Sequence, residues 1–138
     1  MGSYTYFRCM VKLRKDTPIE VIDFFKKILI DKNLETDDVP KPNFEHKFFK
    51  NERWFSLFLS TNWSNLQGGS FYQVGDRWVI DIETEFKNRD EIEDFFDWIK
   101  EYVEGRRKKQ YLGFSKSEDN DVCDFWVNCY KNPRVVLN

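Results

Sequence analysis

A chain of 138 residues is long enough to bury one core without cross-links and too short for two ordinary domains. Its net charge of −2, with 33% charged residues of both signs, excludes a strongly basic nucleic-acid binder. Aromatics reach 18%, with 14 Phe, 5 Trp and no Ala, so the core must be built largely from rings packed edge-to-face or offset.

Residues 4–14, YTYFRCMVKLR, alternate: Phe7, Cys9, Val11 and Leu13 share one face, and Arg8, Met10, Lys12 and Arg14 the other. That pattern predicts a strand with one buried face and a largely charged outer one. Thr17-Pro18-Ile19-Glu20 then reads as a capping box, with Thr17 at the N-cap, Pro18 at N1 and Glu20 at N3. The helix it opens is expected to run to about Lys32 on an apolar side of Val21, Ile22, Phe24, Phe25, Ile28 and Leu29. Pro40 and Pro42 break regular structure beyond it, close to the acidic pair Asp37-Asp38. Phe44 to Phe49 fits a short strand or a packed loop. Trp54 to Thr61, WFSLFLST, predicts a strand with Phe55, Leu57 and Leu59 on one face and Trp54, Ser56, Phe58 and Ser60 on the other. A polar loop with Trp63 and Gly68-Gly69 follows.

Phe71 to Val74 begins a hairpin that turns at Gly75-Asp76, because glycine tolerates positive φ. Trp78 to Phe86 returns with Trp78, Ile80, Ile82 and Thr84 inward and Val79, Asp81, Glu83 and Glu85 outward. Asn88 caps the next helix with Glu91 at N3, and Ile92, Phe95, Phe96, Ile99, Tyr102 and Val103 form its apolar stripe up to a stop at Gly105. Arg106 to Lys109 is a basic run. Tyr111 to Lys116 predicts a strand and Val122 to Tyr130 a last one, with the tail NPRVVLN expected to be loosely attached.

A shift of 71 residues lays the first strand and helix on the second without a gap. Phe7 falls on Trp78, Cys9 on Ile80 and Val11 on Ile82. Thr17 falls on Asn88, Glu20 on Glu91, Asp23-Phe24-Phe25 on Asp94-Phe95-Phe96, and Ile28 on Ile99. The expected plan is one domain in which β-α-β-β occurs twice, in halves near residues 4–74 and 77–130. The fold class is α+β, a two-layer sandwich with two helices on one face of a mostly antiparallel sheet. Lys12 aligns with Glu83 and Arg14 with Glu85, so these charges are candidates to meet as cross-strand pairs.

Residues that carry chemistry are sparse. Cys9, Cys123 and Cys129 are odd in number and match no disulfide framework, which implies reduced thiols and a cytoplasmic setting. Cys123 and Cys129 on one strand would lie about 20 Å apart and could not clamp one metal. His46 alone builds no metal site and is expected at the surface or in packing. There is no GxSxG, P-loop or GxGxxG. No apolar run approaches the roughly 18 residues of a membrane span, and MGSYTY lacks the apolar region of a signal peptide. Glu83 and Glu85 read as a solvated ladder. The acids of the second helix, among them Asp94, Asp97 and Glu101, read either as a solvated face or as a docking face for a basic partner. Trp54, Phe58, Tyr72 and Trp126 read either as core or as a stacking surface.

The segment FKNRDEIEDFFDWIKEYVEG, followed by QYLGFSKSED, resembles the C-terminal half of small uncharacterised bacterial and phage-borne proteins. Lys87, Asn88, Ile92, Phe96, Trp98, Ile99, Leu112 and Gly113 carry the likeness, and KLRKDTPIEVIDFF in the first half looks similar in the same way. The resemblance implies tandem strand-helix-strand-strand units and no activity.

Two readings follow. The first is a non-enzymatic binding protein of the accessory, immunity or anti-defence kind. It would act as a monomer or homodimer on another protein, through Asp94, Asp97 and Glu101 or through an aromatic sheet face. The second is a binder of a small, possibly cationic ligand in a cleft between the halves, near Trp54, Phe58, Tyr72, Trp126 and Glu83. Neither calls for a metal or a cofactor, nucleic acid or membrane.

Overall fold

The computed structural model describes residues 4–31, 42–59, 68–105, 110–119 and 122–136. Asp37-Asp38, Pro40, Trp63 and the basic run Arg106 to Lys109 lie outside the described residues. Strands β1 (Thr5–Lys12), β2 (Gly68–Val74), β3 (Arg77–Phe86), β4 (Tyr111–Ser117), β5 (Val122–Val127) and β6 (Tyr130–Val136) form one sheet in the order β2-β3-β1-β4-β5-β6. Every neighbouring pair is antiparallel. Helix α1 is Ile19–Phe25, continued by a wider turn at Lys26–Ile30; α2 is Lys47–Lys50; a 3₁₀ turn covers Trp54–Leu57; and α3 is Glu91–Ile99.

The strand order makes two interleaved split β-α-β units. β1 and β2 run parallel with β3 between them, and β3 and β4 run parallel with β1 between them. The inward residues of the central pair, Phe7, Cys9, Val11, Ile80 and Ile82, belong to one buried core with Phe25, Ile28, Phe95, Phe96 and Ile99 of the helical segments. Gly113 allows β4 to approach β1. A Cβ there would stand 2.0 Å from the Arg8 carbonyl oxygen and 2.7 Å from the Cys9 Cα.

Both helix starts use the predicted residues in shifted roles. Thr17 does not cap α1; its hydroxyl donates back to the Arg14 carbonyl at 2.6 Å, and Pro18 stands at the N-cap. Asn88 accepts from the Ile92 amide at 3.2 Å while the Glu91 carboxylate accepts from the Arg89 amide at 2.6 Å. That is the reciprocity of a capping box, one residue out of its usual frame. Helix α3 ends at Ile99, short of the predicted stop, because Val103 leaves the helix to bridge Leu13 beyond the end of β1.

The structure corrects four expectations. Trp54 to Leu57 is a 3₁₀ turn and not a strand, with Ser60 and Thr61 outside the described residues. Trp54, Leu57 and Phe58 are buried, at the i, i+3, i+4 spacing of a helical turn, and Thr84 of β3 donates a buried 3.0 Å hydrogen bond to the Leu57 carbonyl. Phe44 to Phe49 likewise ends in α2. The tail is β6, entered through Asn128 and Cys129, which both take positive φ (52° and 70°). Two such residues make a tight turn matched to strand twist, which splits the predicted last strand in two. Cys129 therefore joins the core at that turn, whereas Cys123 pairs in β5 with Lys116. Finally, Lys12 lies opposite Val79 and Glu83 opposite Arg8. Four register steps, about 13 Å, separate Lys12 from Glu83 along the ladder, so the two do not meet, and Arg14 instead reaches Asp16 at 3.2 Å.

The close approach at Gly113 gives a stability test. Gly113→Ala sets its Cβ against backbone atoms and is expected to cost at least about 3 kcal/mol, the upper end for overpacking. Gly69→Ala would meet the Cδ2 of Leu29 at 2.6 Å, a side-chain tip that can move, and is expected to cost about 1 kcal/mol. Urea unfolding of both variants measures the difference; equal losses would contradict the β1–β4 pairing.

Candidate functional site on the outer face of the sheet

Period-two alternation sends one set of side chains away from the helices. On β1 these are Tyr6, Arg8, Met10 and Lys12, and on β3 they are Val79, Asp81, Glu83 and Glu85. The β2 register adds Ser70, Tyr72 and Val74, and the β4 and β5 register adds Phe114, Lys116 and Phe125. A bulge between Tyr111 and Gly113 breaks the alternation of β4. It sends Leu112 into the core and brings Tyr111 beside Phe125 at a ring distance of 5.8 Å. Phe114 lies 6.4 Å from Phe125 and 5.7 Å from Tyr6. The outer face therefore carries an aromatic row across β1, β4 and β5.

A polar network crosses the β1–β3 seam. The Arg8 guanidinium pairs with the Asp81 carboxylate and also donates to the Ile82 and Cys9 carbonyls at 3.1 and 3.2 Å. The Tyr6 hydroxyl donates to Glu83 at 2.5 Å. Both side-chain contacts run diagonally, two residues from the direct register partner, as twisted antiparallel strands allow. Burial works against the Arg8 charge, but the Asp81 hydrogen bond and negative charge outweigh it and raise the guanidinium above its ordinary value. Burial, the Glu83 hydrogen bond and its charge push Tyr6 up to about 12.

Two hollows flank Arg8. The larger, about 510 Å³, is lined by Arg8, Met10, Lys12, Val79, Tyr111 and Phe114 among others. The smaller, about 230 Å³, lies toward β2 against Gly68, Ser70, Asp81 and Glu83. Met10 is 48% exposed, Tyr72 38%, Val74 53% and Tyr111 58%. Scattered apolar residues are ordinary on a surface, but these four share one sheet face.

The residues singled out from the sequence part ways. Tyr72 and Glu83 lie on the outer face. Trp54, Phe58 and Trp126 are buried, and Trp126 stacks on Phe96 at 4.7 Å and donates to the Ser115 hydroxyl at 3.3 Å. Those three are core rings and offer no surface for stacking a ligand. Asp94 and Asp97 face basic side chains of the chain itself. His46 lies 2.8 Å from Asp97 through Nε2, Lys100 2.9 Å from Asp97, and Lys47 3.7 Å from Asp94. The Lys100 and His46 hydrogen bonds hold Asp97 below its ordinary range, while burial raises Asp94. Glu101 is exposed. The Nδ1 of His46 accepts from the Phe48 amide at 3.0 Å, which leaves the proton on Nε2 facing Asp97. His46 thus staples α2 to α3.

Burial raises the thiols of Cys9, Cys123 and Cys129, the last to about 12, the opposite of an activated nucleophile. Among the described residues no group of three or more His, Cys, Asp or Glu could hold a metal, and no described helix is long and apolar enough to cross a membrane. Met10, Tyr111, Phe114 and Phe125 were not legible as a site from sequence. The available signal was Gly113 inside a strand, which marks a bulge or a close backbone approach.

The Tyr6–Glu83 contact has a pH signature. A phenol raised above its unfolded value of 10 contributes stability that is complete below pH 10 and is lost as pH climbs toward about 12. Tyr6→Phe is expected to flatten that decline, and Glu83→Gln to lower the Tyr6 titration in a spectrophotometric pH series. A wild-type alkaline transition that Tyr6→Phe leaves unchanged would contradict the contact.

Comparison with protein-family models, with curated proteins and with solved structures finds no match to this chain.

Proposed function

We propose that this chain is a non-enzymatic binding protein that engages another protein through the outer face of its sheet. The observation that carries the reading is the gathering of Met10, Tyr72, Val74 and Tyr111, all more than a third exposed, on one face. Exposed apolar residues gathered on one rigid sheet suit a partner surface. The acidic helix is the weaker candidate, because Asp94 and Asp97 already have cationic neighbours from α2 and from Lys100. The raised thiols and the double hydrogen bonding of His46 favour binding over nucleophilic chemistry. An accessory role of the immunity or anti-defence kind, in a cytoplasmic setting, and kinship with the phage-borne proteins resembled above fit this size and composition.

We also propose that the chain arose by duplication of a split β-α-β unit, with its helices forming a second layer over the sheet. What supports this is the register. The 71-residue offset makes Met10 the counterpart of Asp81, and these two residues are direct partners across β1 and β3. A local two-fold axis then passes between them and relates the Asp23-Phe24-Phe25 and Asp94-Phe95-Phe96 triplets. Outward charge is where the copies diverge: Lys12 became Glu83 or the reverse.

A second reading rests on the 510 Å³ hollow, a size at which small-molecule sites occur. It would take its ligand on the outer face, away from Trp54, Phe58 and Trp126.

A random peptide library displayed on phage separates the surfaces. Clones selected on the native chain are rescreened on Met10→Glu, on Tyr111→Glu and on the double reversal of Asp94→Lys with Glu101→Lys. The sheet reading expects losses of about tenfold or more on each of the first two, as for anchor residues, with binding kept on the third. Clones that depend on Asp94 and Glu101, or that ignore all four positions, would remove the outer face as the binding surface.

A further inference from the structure

Charge on the outer face is divided along the β1–β3 seam. β3 turns Asp81, Glu83 and Glu85 outward, whereas β1 turns Arg8 and Lys12 outward and β4 turns Lys116. Asp81 and Glu83 are engaged by Arg8 and Tyr6. The 510 Å³ hollow lies on the cationic side, and its described lining contains Arg8 and Lys12 but no carboxylate. A concave, partly apolar site lined by one sign of charge concentrates the opposite sign. Arg8 is held by one carboxylate and two carbonyls. Lys12 is exposed at the far end of β1.

The walls of the hollow decide between kinds of occupant. Tyr111 and Met10 keep about half of their surface in water, 58% and 48%. A small-molecule site typically encloses about 70–90% of its ligand, and walls this open suit a segment lying across the face. Phe114 and the thioether of Met10 offer an apolar bed to a ring, and sulfur–aromatic contact is favourable. One inserted aromatic side chain removes roughly 150–250 Å² from water, the scale of an interface anchor.

Resting on the outer-face reading, we infer that the groove between β1 and β4 takes an extended partner segment with one aromatic side chain flanked by carboxylates. The ring lies against Met10, Tyr111 and Phe114. The carboxylates lie toward Lys12, since Arg8 is already paired with Asp81 of β3.

The test uses isotope-labelled full chain and NMR titration with three synthetic peptides. These are Gly-Asp-Glu-Trp-Glu-Asp-Gly, the same peptide with Lys for each acid, and the acidic peptide with Ala for Trp, all end-blocked. The acidic Trp peptide is expected to shift amides of residues 8–12 and 110–114. Its affinity should exceed both controls by about tenfold at low salt and fall as salt rises. Lys12→Glu should reverse the charge preference, Tyr111→Ala should remove the response, and Ile19→Glu, at an exposed position of α1 on the other side of the sheet, should leave it unchanged, with spectral dispersion reporting that each variant folds. Equal binding of the basic peptide would overturn the inference while leaving the outer face in place. So would a tighter response to free indole-3-acetate than to the peptide, which would assign the groove to a small ligand. Failure of every probe to shift any outer-face residue would overturn both the inference and the reading beneath it.

Discussion

Trp98 sits where α1, α3 and the segment from Phe44 to Phe58 converge. Its ring lies 4.7 Å from Phe49, 5.4 Å from Phe44, 5.5 Å from Phe25 and 5.8 Å from Phe24, and nearly parallel to Phe48. Phe58 meets Phe24, Phe25 and Phe95 edge-on. With no alanine in the chain, the helical segments have no such small residue on which to close. The space between them is filled by rings from a third segment, and edge-to-face pairs each add roughly 0.5–1.5 kcal/mol beyond burial. The 3₁₀ turn and α2 exist to deliver those rings. The buried Thr84–Leu57 hydrogen bond and the His46–Asp97 contact fasten that segment to the sheet and to α3.

Closing one side of the sheet in this way leaves the other side to the outward residues of the strands. There the apolar groups cannot all be buried, and the polar ones are satisfied laterally. Across the β1–β3 seam Arg8 pairs with Asp81 and the Tyr6 hydroxyl donates to Glu83, while Lys12 and Lys116 put positive charge on the β1 and β4 side. The same seam lies on the proposed two-fold axis. The feature that most resembles a duplication and the feature that most resembles a site are thus the two faces of one strand pair.

Much of this was legible in the residues. The alternation in β1 and β3, the Gly75-Asp76 turn and the stripe of α3 as far as Ile99 follow strong local signals and appear at the expected places, whereas Tyr102 and Val103 fall beyond the helix. WFSLFLST was not legible, because apolar residues on both faces satisfy period two and helical spacing equally, and the tertiary demand for rings decided for the helical turn. The last hairpin was hidden because its turn uses Asn128-Cys129 in place of Asn-Gly. The Asn128 side chain, accepting from the Gln110 amide at 3.0 Å, helps hold that turn. The outer site was half legible. Arg8, Asp81 and Glu83 follow from alternation, but their diagonal pairing needs the register. Tyr111 reached the site only through a bulge that shifts it by one position.

The helix side of the sheet is sealed by rings while the outer side is open to solvent. Hydroxyl-radical footprinting of the free chain reads this contrast, since thiol, thioether and aromatic side chains react fastest. Strong modification of Met10, Tyr72 and Tyr111 is expected, with Trp54, Trp98 and Trp126 protected, in keeping with their burial. Protection of Met10 and Tyr111 in the free chain, or ready modification of Trp98, would contradict it.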